Sequence, residues 1–147
     1  VAARTGAVIV APNDIYDVEA DIFSPNALGA VINEKTLSRL RVKGVAGGAN
    51  NQFARAEDAE LLSQRGILYA PDYVINAGGA IGIPGIEALG WPRERAEKEV
   101  TGSIKSALRR IFEMSHSEKI TTDLAARRLA EERLAGPPRN LQPKLMI

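Results

Sequence analysis

The chain contains no cysteine. That removes disulfides, thiolate nucleophiles and cysteine-ligated zinc or iron–sulfur centres. There is a single histidine, His116, so a histidine-built metal site is excluded too and no metal is expected. Aromatic residues make up 5% of the 147 positions, which leaves aliphatic side chains to fill the interior. Charge of one sign is also missing, because 19 Lys and Arg face 18 Asp and Glu for a net charge of +1. Nucleic-acid binding draws on clustered cations, so no nucleic-acid partner is expected. No apolar run approaches the roughly 18 residues of a membrane span. No membrane partner is therefore expected, and a cysteine-free chain of this kind reads as cytoplasmic.

What is present divides by composition. Residues 1–92 hold eleven of the 13 glycines and five of the 8 prolines. Residues 93–133 hold ten positive and eight negative side chains and one glycine. The expected organisation is a glycine-rich α/β part over 1–92, helices over 93–135 and a loose tail over 136–147. In the first part, residues 7–10 form a β-branched run closed by Pro12-Asn13-Asp14, and residues 21–23 form a second run ended by Ser24-Pro25-Asn26. Residues 27–40 have a loosely helical period. Residues 42–46 read as a third strand, stopped by Gly47-Gly48-Ala49-Asn50-Asn51. A helix over about 56–64 should end at Gly66, a glycine C-cap. Residues 67–70 read as a fourth strand, continued past Pro71 by 72–75 to Asn76-Ala77-Gly78-Gly79. Strands alternating with helices predict a parallel α/β sheet.

In the second part, apolar residues at 96, 100, 104, 107, 108, 111 and 112 form one stripe on a helix that starts near Pro92. A second helix is capped by Thr121 or Thr122 and stopped by Gly136-Pro137-Pro138. His116 falls near the end of the long helix, where a cation suits the dipole. Arg109-Arg110 and Arg127-Arg128 alternate with Glu and read as solvated faces. The tyrosines and Trp91 read as core or interface anchors, and Lys43 as an ordinary loop-to-strand lysine.

Parallel sheets bind ligands at the carboxyl ends of their strands. Three segments end predicted strands with residues that core packing does not require: 24–29, 47–51 and 76–80. Glycine pairs let peptide groups approach a flat ring or a sugar, and asparagine offers a donor and an acceptor on one neutral group. Such a site is polar and uncharged, as suits a nicotinamide ring that accepts a hydride. The alternative is that these Gly and Asn residues only make turns. Asp21 and Asp72 flank strands and could orient loops. No nucleophile–base pair can be named, and the Gly-x-Gly-x-x-Gly phosphate motif is absent.

At these positions the chain resembles a known family. Ser24-Pro25-Asn26-Ala27-Leu28-Gly29-Ala30-Val31-Ile32 is similar to the Ala-Pro-Cys-Ala-Leu-Gly-Ala-x-Ile segment of the leucine, phenylalanine and valine dehydrogenases, within the glutamate/leucine/phenylalanine/valine dehydrogenase family. Ala49-Asn50-Asn51-Gln52, then the stretch from Gly66 to Gly79, resembles their most characteristic region, and residues 125–133 look like their C-terminal helix. Asn26 departs from the family's Cys. The resemblance implies NAD-dependent oxidative deamination of a branched-chain or aromatic L-amino acid to its 2-oxo acid and ammonia. It implies the second half of a Rossmann-type doubly wound parallel sheet followed by C-terminal helices. It further implies that the backbone at Ala27 and Leu28 lies near the cofactor, and that Gly48, Ala49 and Asn50 line its nicotinamide–ribose end. Asn50 would also touch the substrate, with Ala80 and Ile83 flanking the substrate side chain. Ala80 stands where leucine-specific members carry Val, which leaves room for a larger or aromatic side chain.

The family's catalytic Lys and Asp belong to a preceding domain with no match here, and its phosphate motif and the residue that separates NAD from NADP would also lie upstream. Val1 then reads as a cut end, and the protein as a homo-oligomer at full length. The alternative is a non-catalytic dimerisation or regulatory module derived from such an enzyme. On the leading reading, these 147 residues made alone bind NAD weakly and turn nothing over. Amino-acid-dependent NADH formation by the purified chain, followed at 340 nm, would contradict it.

Overall fold

Three short parallel strands form the centre of the chain. In the computed structural model, which describes residues 2–136, β1 (Ile22–Phe23), β2 (Gly44–Val45) and β3 (Leu68–Tyr69) pair in the order β1-β2-β3. The register sets Phe23 opposite Val45 and Val45 opposite Tyr69. Parallel neighbours cannot be joined by a hairpin. The two crossovers carry α2 (Glu34–Leu37) and α3 (Asp58–Gln64). Ile32, Leu37, Leu40, Val45, Leu62, Ile67 and Tyr69 form the buried core, with strand and crossover residues on both sides of β2.

Local chemistry fixes where the crossover helices begin and end. Asn33 starts α2 with a capping box: its side chain accepts from Thr36 N–H, and the Thr36 hydroxyl accepts from Asn33 N–H. Gly66, at φ +70, turns the chain out of α3 and into β3, as the glycine C-cap predicts.

The helices that follow form a second layer. A one-turn α4 (Asp72–Ile75) leads to α5 (Gly78–Glu87), which packs on α6 (Arg93–Glu118), and α7 (Thr122–Ala135) returns along α6. Ile111 packs with Ala125, Ala126 and Leu129, where the small alanines let the two helices approach closely. Thr121, not Thr122, is the cap of α7, its hydroxyl accepting from Leu124 N–H at 3.2 Å. The α/β architecture, a parallel sheet followed by C-terminal helices, is the one the sequence predicts. His116 is exposed in the last turn of α6, and the arginine pairs are exposed, with Arg110, Arg127 and Arg128 bridging Glu132, Asp123 and Glu118. The tail expected over 136–147 lies outside the described residues except for Gly136, the C-cap of α7.

Four local expectations are corrected. Residues 7–10 form no strand: Val8 and Ile9 are 86% and 84% exposed. A strand exists by pairing, and no described segment runs beside this one. The chain after it is held elsewhere, by Arg39 donating to both Asp17 carboxylate oxygens and to Asn13 while lying over the Tyr16 ring. Over 27–40, only Glu34–Leu37 is helical. Residues 30–32 instead run beside 51–54, with Ala30 and Ile32 N–H donating to Asn51 O and Gln52 O. That backbone ladder outweighs a weak helical period. Residues 72–75 are the helix α4, not a continuation of the strand. Pro71 has no N–H for a ladder, and Tyr69 Oη accepts the Asp72 N–H, which bends the chain away. The segment 76–80 is therefore the junction of α4 and α5 and not a strand end.

Trp91, the single tryptophan, lies against α5 and under the Arg95 guanidinium, 4.9 Å from the ring centroid. Gly85 makes this possible, because a Cβ there would lie 2.2 Å from Trp91 Cε3. Gly85→Ala should displace the ring and cost about 1–3 kcal/mol, the usual range for overpacking. Thermal denaturation and the fluorescence of the lone tryptophan check it; an unchanged Tm and emission maximum would contradict this account.

Candidate functional site

Because the strands are parallel, β1 and β2 exit at the same end of the sheet, β1 into residues 24–29 and β2 into 46–51. The two exit loops touch through their backbones. A Cβ on Gly47 would lie 2.1 Å from Pro25 O, so only glycine permits this approach. Ala49 N–H donates to Pro25 O at 2.9 Å, and Gly48 N–H donates to Asn26 Oδ1 at 2.8 Å. Asn26 Nδ2 in turn donates to Ser24 O and Ser24 Oγ, both at 2.9 Å.

Beneath the loop lies Gln52, 1% exposed. Its Nε2 donates to Gly47 O at 2.7 Å and Ala49 O at 3.0 Å. Its backbone N–H donates to Asp72 Oδ2 at 3.3 Å, while Asp72 Oδ1 accepts from Tyr73 N–H at 2.8 Å. Buried Asp72 thus couples the loop to the start of α4, an orienting role of the kind expected for it. Asp21 has no such role, since it pairs with exposed Lys43 at the opposite, amino-terminal end of the strands.

From α4, Asn76 reaches back to the same loop. Its Nδ2 donates to Asn50 Oδ1 and lies 3.5 Å from Gly48 O. A backbone carbonyl only accepts, so the amide nitrogen of Asn76 must face this side. The Asn50 atom that meets it must then be the oxygen. Asn50 is left presenting two exposed N–H donors that have no partner among the described residues.

The structure brings some of the predicted positions together and leaves others apart. Gly48, Ala49 and Asn50 occupy the β2 exit loop, with Ala49 buried and Gly48 and Asn50 exposed. Ala27 and Leu28 occupy the β1 exit loop beside it, with Leu28 77% exposed. Ala80 and Ile83 sit on α5, exposed and one turn apart on one face, and connect to the loop through Asn76 four residues earlier. The sequence signals did not single out Gln52 for a role, and marked Asn76 only as part of the segment 76–80. A glutamine buried among glycines and asparagines, and an asparagine beside a glycine pair, were the available clues.

No charged side chain occurs in residues 24–30 or 46–51, so the surface is polar and neutral. Its groups fit a nicotinamide–ribose moiety: exposed glycine backbone at Gly48, an apolar Leu28 and a carboxamide donor at Asn50. Burial holds both the Tyr69 and the Tyr73 hydroxyls above the ordinary phenol range, and at Tyr73 the neighbouring Asp123 carboxylate adds to it. No group of metal-ligating residues occurs among the described residues, and no helix there is long and apolar enough to cross a membrane. A cavity of about 850 Å³ lies at the other end of the sheet, lined in part by Asp21, Arg41 and Lys43. That is the amino end of the strands, away from the loops where parallel sheets bind ligands.

Residues 2–137 match the model of the glutamate/leucine/phenylalanine/valine dehydrogenase family. The chain is 52% identical over 129 residues to a leucine dehydrogenase of Thermoactinomyces intermedius, covering 88% of this chain and 35% of that protein. It is 43% identical over 136 residues to an L-tryptophan dehydrogenase of Nostoc punctiforme, covering 92% of this chain and 38% of that protein. The crystal structure of the Nostoc punctiforme tryptophan dehydrogenase superposes with a TM-score of 0.84 at 42% identity, over 90% of this chain and 40% of that one. A hetero-hexameric glutamate dehydrogenase from Thermus thermophilus shares the fold, with a TM-score of 0.65 at 19% identity, over 93% of this chain and 36% of that one. The chain thus spans little more than a third of the length of these relatives. By its sequence and by its fold, it belongs to the glutamate/leucine/phenylalanine/valine dehydrogenase family.

Proposed function

We propose that this chain is the cofactor-facing part of an amino-acid dehydrogenase that oxidatively deaminates a branched-chain or aromatic L-amino acid to its 2-oxo acid and ammonia, with NAD as hydride acceptor. The protein works in the cytoplasm as a homo-oligomer. Residues 1–92 are the carboxyl-terminal half of its dinucleotide-binding domain, residues 93–135 are the helices that follow it, and 136–147 are its tail. Relatives named as leucine and tryptophan dehydrogenases support the reaction class. The observation that carries the reading is the Asn50 carboxamide, turned by Asn76 so that its donors point outward from an uncharged loop at the carboxyl end of a parallel sheet.

On this reading the labour divides among named residues. The peptide groups around Ala27 and Leu28 border the cofactor, and Gly48, Ala49 and Asn50 line its nicotinamide–ribose end. When bound, NAD supplies a ring that takes the substrate's α-hydride. Asn50, a donor only on its exposed side, binds an acceptor: a cofactor hydroxyl or amide oxygen, or the substrate carboxylate. A neutral loop suits this task, because the oxidised ring is cationic and a nearby Lys or Arg would oppose its binding. Ala80 and Ile83 shape the space for the substrate side chain, and the methyl group of Ala80 leaves room for an aromatic ring. Proton transfer falls to the Lys and Asp of a preceding domain, as the family resemblance implies.

The decisive measurement is NADH formation by the full protein with a panel of L-amino acids that includes leucine, valine, phenylalanine, tryptophan and glutamate. Activity confined to glutamate, or none at all, would overturn the reading. Asn50→Ala should lower kcat/KM for the preferred amino acid by about 10- to 100-fold, the size of one hydrogen bond to a charged group. Ala80→Val should move the ratio of kcat/KM for phenylalanine over leucine down by about tenfold or more, as pocket-filling methyl groups do. An unchanged ratio would remove Ala80 from the substrate pocket.

A further inference from the structure

The loop after β2 keeps few of its peptide groups free. Gly47 O and Ala49 O accept from Gln52, Ala49 N–H donates to Pro25 O, and Gly48 N–H donates to Asn26. Three of these ties run to Gln52 or Pro25, beneath or within the packed part of the site. The fourth comes from Asn26, an exposed side chain on the other loop, at the rim where the proposed cofactor lies.

Asn26 uses all of its carboxamide at this place. One acceptor takes the Gly48 N–H at 2.8 Å, and the amide nitrogen donates to Ser24 O and Ser24 Oγ at 2.9 Å each. Turning the amide over would set its N–H groups against the Gly48 N–H and its oxygen against Ser24 O, so only one orientation is satisfied. An aspartate could still accept from Gly48 but would face the Ser24 carbonyl with a second acceptor. A cysteine, which the resembling family carries here, is a weak donor and a weak acceptor and cannot span both loops. Of these three side chains, only asparagine makes both the Gly48 and the Ser24 ties.

We infer that Asn26 is a positioning residue for cofactor binding: it locks the β1 and β2 exit loops at one separation and withdraws the Gly48 N–H from the ligand. The inference rests on the proposed function, because it takes these loops as the nicotinamide cradle. Ligand recognition from the β2 loop then runs through the Asn50 side chain and not through the Gly48 peptide. Asn26 touches no reacting atom on this account. Its loss should loosen the cradle and weaken binding, while the chemical step at saturating cofactor changes far less.

The test uses the full protein and compares it with Asn26→Ala and Asn26→Asp. In Asn26→Ala, the amide of Gly48 should exchange with deuterium faster in the unliganded protein. The dissociation constant for NADH, read by fluorescence titration, and the KM for NAD should rise by about three- to tenfold, the size of one ordinary hydrogen bond. The change in kcat should be smaller than the change in KM. Asn26→Asp, which keeps an acceptor for Gly48, should restore the slow exchange. An Asn26→Ala protein with unchanged Gly48 exchange overturns the tie, and one with faster exchange but unaltered NADH affinity and KM overturns its role in positioning. A kcat that falls as far as KM rises overturns it too. If the parent binds no nicotinamide dinucleotide, the proposed function fails and takes the cofactor role of Asn26 with it, while the exchange rates still report separately on the tie.

Discussion

The site depends on one close approach, that of Gly47 to Pro25. A single added methyl group at Gly47 would fall 2.1 Å from the Pro25 carbonyl oxygen, well inside any van der Waals contact. Because that methyl is absent, the exit loops of β1 and β2 lie backbone to backbone, and Pro25 O can accept from Ala49 N–H. Asn26 and Gln52 then bind three further peptide groups of the loop, the Gly48 N–H and the Gly47 and Ala49 carbonyls. A larger residue at position 47 would separate the two strand ends and undo each of these bonds. The sheet alone would still hold its register, but the polar surface at its carboxyl end would be lost.

The second layer matters for the site because it is bonded to the same loop. Asp72, buried at the start of α4, accepts from Gln52 on one oxygen and from Tyr73 on the other. Tyr73 donates from its hydroxyl to Asp123 on α7, at 3.0 Å. A continuous chain of contacts therefore runs from the β2 exit loop through α4 to the last helix. Asn76, one residue past α4, completes it by fixing which face of the Asn50 amide points outward. Packing of α7 on α6 thus helps set the position of residues far from it in sequence. Burial of an alanine-rich face holds these helices together, and the neutral polar loop is supported from below by the buried Gln52 and Asp72.

How much of this was legible beforehand varied with the kind of signal. Strands at 22–23, 44–45 and 68–69 were readable from β-branched runs and the turn residues that follow them, and α3 from its glycine stop. The long charged helix and the alanine-rich helix after it were readable from a sustained period and from Thr121. Residues 7–10 misled because a β-branched run states a preference, whereas a strand requires a neighbour. Residues 72–75 misled for a similar reason: Tyr, Val and Ile favour strands, yet Pro71 and the Tyr69 hydroxyl turned the chain into a helical turn. The segments 24–29 and 47–51 were marked by their composition at strand ends, whereas the individual positions Ala27, Leu28, Gly48, Ala49, Asn50, Ala80 and Ile83 were marked by resemblance. Gln52 escaped notice because a glutamine next to asparagines looks like surface.

The sequence by itself determined the class of fold, the parallel order of elements and the family, because periodicity, turn chemistry and a motif are local and survive in one dimension. It also determined that any site here would be neutral, since no charged residue occurs in either exit loop. Only the tertiary structure decided which groups of those loops remain free to meet a ligand. That outcome is a matter of hydrogen-bond accounting among residues 20 or more positions apart, as between Asn26 and Gly48, Gln52 and Asp72, or Asn50 and Asn76. The Gly48 carbonyl fixes the Asn76 amide and the Asn76 amide fixes that of Asn50, which leaves the Asn50 donors facing away from Asn76.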